Sequence, residues 1–143
     1  MTHVLVPVDG SEHSLKALEH AVEQFSDAQF TVLHIVDALA SGYGGTEMAH
    51  ITDDAVEGAV ARGERITEDA VEHATEAGAN RDAFETVVEW GRPAHAIVRY
   101  AEDHDVDQIV IASTGRSGIS RVLLGSVAEV VVRRATVPVT VVR

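Results

Sequence analysis

Apolar and polar positions follow two rhythms along this chain, and the two rhythms alternate. His3 to Val8 is a short apolar run that ends at Asp9-Gly10. From Ser11 the apolar residues fall at Leu15, Leu18, Val22 and Phe25, the spacing of one helical face, with Ser11 placed as the cap. Phe30 to Val36 is an unbroken apolar strand apart from His34. Asp37 to His50 holds Gly42, Gly44 and Gly45 with little periodicity and reads as a mobile loop. Thr52 opens a long helix with Val56, Ala59, Ile66, Ala70 and Ala74 on one side, stopped by Gly78. Phe84 to Trp90 is a third strand, broken by Gly91-Arg92-Pro93, and Pro93 suits a first helical turn. The helix that follows turns Ala94, Ile97, Val98 and Ala101 inward. Gln108 to Ala112 is the fourth strand. Ser126 and Glu129 form a capping box for a last helix carrying Val127, Val130 and Val131, and Val137 to Val142 is the fifth strand.

Strands that are apolar on both faces and alternate with helices predict a parallel sheet covered on both sides. Right-handed crossovers leave few topologies. The expected architecture is α/β, a doubly wound five-stranded parallel sheet in the order 3-2-1-4-5, formed as a single domain over residues 1–143. In that order strands one and four are neighbours whose outgoing loops run to opposite faces, which opens a crevice at their C-terminal ends. Asp9-Gly10 leaves strand one. The glycine- and hydroxyl-rich segment from Ala112 through Gly115 to Gly125, Ser126 and Val127 leaves strand four. Such a strand-to-helix turn can surround an anion: glycine lets backbone approach closely, and the free N–H groups at a helix start carry partial positive charge.

Composition narrows the partners. The chain has 143 residues and no cysteine, which excludes disulfides, thiolate catalysis and cysteine-based zinc sites. No apolar stretch reaches the roughly 18–20 residues of a membrane span, and the N-terminus enters a strand directly rather than a signal peptide. The expected location is the cytoplasm, with no membrane contact. Twenty-three acids stand against 11 bases, and Lys16 is the only lysine. A surface of that kind repels nucleic-acid backbones. It is also the habit of proteins in salt-saturated cytoplasm, where screening shortens self-repulsion, and so points to a halophilic source.

These motifs together resemble the universal stress protein family across His3 to Arg143. Val6-Pro7-Val8-Asp9-Gly10-Ser11 is similar to the family's first strand and turn, Leu33-His34-Ile35-Val36-Asp37 to its second, and Gly91-Arg92-Pro93 to its third-strand exit. The family's nucleotide loop is Gly, two residues, Gly, nine residues, Gly, then Ser or Thr. Gly115, Gly125 and Ser126 fit it, while Ala112 replaces the first glycine. The family includes members that bind ATP and members that do not, and the departure falls on the deciding motif. At the end of a strand, where negative φ is usual, an alanine narrows the pocket rather than straining it.

The resemblance implies a haloarchaeal, ATP-binding-type member, with ATP, ADP or AMP as ligand. Gly115, Gly125, Ser126 and Val127 would then offer backbone N–H groups to phosphates, with the Ser126 hydroxyl helping. Asp9 and Ala112 would border the ribose, and Ile35 would meet the adenine through its backbone. Arg116 and Arg121 could add charge, although ordinary surface arginines are the better fit. Asp9 could as well be a turn residue. A Mg2+ or Mn2+ ion would bridge the phosphates, with no protein metal site. The resemblance and the charge-free stretch from Val137 to Val142 at a sheet edge both imply a homodimer through residues 137–142. The protein partner is not indicated.

Other chemistries lack their signatures. There is no P-loop, no Gly-x-Gly-x-x-Gly fingerprint and no nucleophile elbow, and no two of the eight histidines have the H-x3-H spacing of a helical zinc pair. His34, inside an apolar strand, reads as a satisfied core residue. No residue is assigned a catalytic role, and slow ATP hydrolysis is the most expected. Two functions therefore stand: a nucleotide-binding stress-response or signalling module, and an interaction protein of the same fold with an empty pocket.

Overall fold

The computed structural model describes residues 1–37, 53–114 and 124–143. In chain order they form β1 (His3–Pro7), α1 (Glu12–Gln24), β2 (Gln29–Val36), α2 (Asp53–Glu76), a 3-10 turn (Arg81–Ala83), β3 (Phe84–Trp90), α3 (Pro93–Asp103), β4 (Gln108–Ala112), α4 (Ser126–Arg134) and β5 (Val139–Val142). The five strands make one sheet in the order β3-β2-β1-β4-β5, and all four pairings are parallel. The order is the one expected from the apolar runs.

Alternation along each strand divides the core between two layers. Val4, Val6, Val32 and Val110 pack with Ala17, Leu18 and Ala21 of α1 and Ala70, Val71 and Ala74 of α2. Leu5, Leu33, Ile109 and Ile111 face Ala94, Ile97 and Ala101 of α3 and Ala128 and Val131 of α4. Both sheet faces are dry, so the strands need the near-continuous apolar runs they have. Among the described residues no helix is long and apolar enough to cross a membrane.

The chain's punctuation behaves as its chemistry requires, with three corrections. Ser11 caps α1 by accepting the Ser14 N–H at 3.2 Å. Gly78, at φ +109°, ends α2, and the Ala79 N–H reaches back to the Ala74 carbonyl at 3.1 Å in a Schellman-type closure. β1 stops one residue before Val8, whose N–H still bonds the Leu33 carbonyl at 2.8 Å. β5 begins at Val139 rather than Val137, because Pro138 has no N–H for the ladder and contributes only its carbonyl, to Ile109 at 3.0 Å. The capping box at Ser126 does not form. Gly125 takes the N-cap position with φ −63° and ψ 157°, no side chain caps α4, and the Glu129 carboxylate instead holds Arg133 one turn on.

Gly63 fixes how closely α2 approaches the sheet. A Cβ there would lie 2.9 Å from Val88 Cγ1 and 3.0 Å from His34 Cδ2, whereas one at Gly58 meets nothing within 4 Å. The same helix therefore separates two effects. Gly58→Ala is expected to stabilise by about 0.5–1 kcal/mol through helix propensity. Gly63→Val is expected to destabilise by about 2 kcal/mol or more through overpacking. Urea unfolding of both variants measures the contrast, and equal effects would contradict the packing.

At the other end of the sheet, burial raises the Tyr100 phenol above its ordinary value of 10.0. The Glu85 carboxylate adds to the rise, as does Glu89, and a hydrogen bond with Thr31 opposes it. A raised folded value means the native state holds this proton more tightly than the unfolded chain. The resulting stability is complete below pH about 10 and is lost as pH rises through the folded value. Stability measured from pH 9 upward should fall with a shallower slope in Tyr100→Phe than in the parent chain.

Candidate functional site

The C-terminal ends of β1, β2 and β4 open together onto a cavity of about 780 Å3. Asp9, Ile35, Ala112, Gly125, Ser126 and Val127, six of the nine residues singled out in the sequence, all line it. Gly115 and Arg116 lie outside the described residues, as do Arg121, Thr52 and most of the Asp37–His50 segment.

Asp9 has the role of a turn residue and also faces the cavity. Its Oδ1 accepts the Ser11 N–H at 2.9 Å and the Ser11 hydroxyl, and Gly10 follows at φ +88°, a conformation glycine adopts without strain. The turn directs the chain into α1 and holds the carboxylate at the mouth of the crevice.

Ala112 ends β4 and is 8% exposed. Among the described residues Asp105 is the one non-glycine with positive φ, so the methyl at 112 costs volume and no backbone strain. Beyond it, the Ser113 N–H bonds the Val142 carbonyl at 2.7 Å. The Ser113 carbonyl accepts the Gly125 N–H at 2.6 Å, tying together the two ends of the 115–123 segment. The Gly125 N–H, expected to face phosphate, is thus engaged within the chain. Gly125 contributes buried wall, and its carbonyl receives the Glu129 N–H at 2.9 Å as α4 begins. The first N–H groups of this nine-residue helix, from Ser126 onward, start at the cavity and bring partial positive charge to it.

The cavity also takes in residues that the sequence patterns did not single out as ligand-facing. α2 supplies Ala55, Gly58, Ala59 and Arg62, so the lining holds a guanidinium as well as the Asp9 and Asp37 carboxylates. β2 supplies His34, which is half-buried and satisfied at Nδ1 by the Val8 carbonyl at 2.8 Å, as a core histidine should be. Its strand alternation opposite Ile35 was the signal that it faces α2. Among the described residues no three potential metal-ligating side chains cluster.

Comparison with known proteins agrees with this architecture. The universal stress protein family model matches residues 1–143. Universal stress protein YxiE of Bacillus subtilis (strain 168) is 35% identical over 147 residues, spanning 98% of this chain and 97% of the relative. The solved structure of universal stress protein UspA from Lactobacillus plantarum matches with a TM-score of 0.82 at 30% identity, covering 99% of this chain and 97% of that one. A universal stress protein crystallised in complex with cAMP matches with a TM-score of 0.71 at 28% identity, covering 99% and 96%. The chain belongs to the universal stress protein family.

Proposed function

We propose that this chain is a nucleotide-binding stress-response or signalling module that takes an adenine nucleotide, ATP or its ADP and AMP products, in the crevice between β1 and β4. The observation that carries the reading is the single cavity joining Asp9, Ile35, Ala112 and the start of α4. The cAMP complex of a 28% identical relative supports it. The phosphates lie at Ser126 and Val127, where the first N–H groups of α4 begin. The ribose lies at Asp9 and Ala112, and the base at Ile35. Gly115 and Arg116 remain candidates for the phosphate end.

The chain's net charge of −12 opposes an approaching polyphosphate, so a Mg2+ or Mn2+ ion is carried in by the phosphate oxygens. Molar salt in a halophilic, haloarchaeal-type cytoplasm screens the remainder. Residues 1–143 act as one domain, and two chains pair through their fifth strands.

Efficient hydrolysis needs a positioned base, charge stabilisation and a held metal. Asp9 spends Oδ1 on Ser11. Turnover is therefore expected well below about 1 per second, the low end of ordinary enzymes. A phosphate-release assay at saturating ATP measures it.

Amide chemical-shift mapping in molar KCl tests the site. Added ATP should move the signals of Asp9, Ile35, Ala112, Ser126 and Val127 together. Shifts confined to other residues would overturn the assignment.

A further inference from the structure

We propose that His34 reads the exocyclic group of the base and makes the site select adenine over a six-keto purine. The inference rests on the nucleotide reading above and adds a residue that sets base selectivity.

The argument begins at the ring's fixed side. His34 Nδ1 stands 2.8 Å from the Val8 carbonyl oxygen. A carbonyl only accepts, so Nδ1 carries the hydrogen, and in the neutral imidazole Nε2 is then an acceptor. Among the described residues nothing bonds that nitrogen, and no buried side-chain nitrogen or oxygen lacks a partner. Nε2 is therefore not sealed in the core. It belongs to a residue lining the cavity and is open to it.

The ring is also held in place. Val8 engages one edge. On the other, Cδ2 lies 3.0 Å from where a Cβ on Gly63 would be, so the backbone of α2 closes over it. A fixed acceptor facing a cavity discriminates by charge pattern, because it cannot turn to offer a donor instead.

The strand order decides which part of the ligand arrives there. β2 is two strands from β4, with β1 between them. At about 4.8 Å per strand spacing that is roughly 10 Å. A nucleotide with its phosphate at the start of α4 and its ribose over β1 carries its base to the end of β2. An exocyclic amine there donates to Nε2. A keto oxygen there sets acceptor against acceptor and leaves Nε2 desolvated and unpaired.

The test compares adenosine and inosine monophosphates, which differ at the six position (amine against carbonyl, with a proton on N1 in the latter). Calorimetric titration in molar KCl should show AMP about tenfold tighter than IMP, the size of one buried hydrogen bond gained against one acceptor stranded. In His34→Asn the amide nitrogen can still donate to the Val8 carbonyl while nothing occupies the place of Nε2. The AMP-to-IMP preference should then fall to about twofold or less. A preference unchanged in the variant overturns the role of His34 while leaving the nucleotide site standing. Failure of the parent chain to bind either nucleotide overturns the nucleotide reading and this inference with it. Nitrogen-15 spectra of the histidine rings in the parent chain provide a readout that does not depend on the variant's folding. AMP should move the His34 Nε2 signal and IMP should not. An Nε2 signal unmoved by saturating AMP overturns the proposal.

Discussion

Gly125→Val is expected to weaken nucleotide binding by about a hundredfold or more and to leave the chain folded. The two halves of that expectation come from different properties of one residue. Gly125 has φ −63° and ψ 157°, a conformation valine adopts freely, so the backbone is not strained by the change. A branched residue at an N-cap costs on the order of 1 kcal/mol, which a domain of this size can tolerate. The position is buried in the wall of the cavity, next to the first N–H groups of α4. An isopropyl group added there takes up the space in which the phosphates are proposed to lie. Circular dichroism should show the parent fold, and titration should show the loss. Retained affinity in molar salt would remove the phosphate end from this place.

The second large effect concerns assembly. Light scattering should give about twice the chain mass of 15.3 kDa. β5 lies at the sheet edge, and all four of its residues are only half-buried. The Pro138 and Val142 carbonyls face β4, where they accept from Ile109 and Ser113. Alternation along the strand therefore turns the N–H and C=O groups of Val139 and Val141 to the open edge. A second copy related by a two-fold axis satisfies both edges at once, and nothing along the strand carries the charge that proteins use to prevent such pairing. Val139→Lys should shift the population to monomer. Val141→Pro removes an outward N–H while sparing the β4 ladder, and should do the same. A parent chain that is monomeric across micromolar concentrations would contradict the dimer.

Most of the fold was legible because its boundaries are chemical. Phe84–Trp90 and Gln108–Ala112 begin and end where they were expected, since β3 stops at Gly91 and β4 lies between the turn at His104-Asp105 and the glycine-rich segment. The errors arose where apolarity and hydrogen bonding separate. Val137 and Pro138 look like strand by hydrophobicity, yet a proline cannot donate to a ladder. Ser126 and Glu129 have capping-box spacing, but Gly125 already holds the extended backbone that a cap requires.

The site was less legible than the fold. The Asp9 turn and the Gly125-Ser126-Val127 stretch are local motifs, so they can be read along the chain. The Gly125 N–H could not be assigned that way, because its partner, the Ser113 carbonyl, is 12 residues back and meets it only in the folded chain. Arg62 and His34 reach the same cavity only through the packing of α2 on β2. That packing depends on the missing side chain at Gly63, a feature that a helical pattern does not display.

Calorimetric titration of the unmodified chain with ATP, with and without Mg2+ in molar KCl, tests the central claim most directly. The account expects saturable binding at one site per chain with millimolar or tighter affinity, and competition by AMP for the same site. The absence of saturable heat for both nucleotides through the millimolar range would contradict it, and would favour an interaction protein that uses the same fold with its crevice empty.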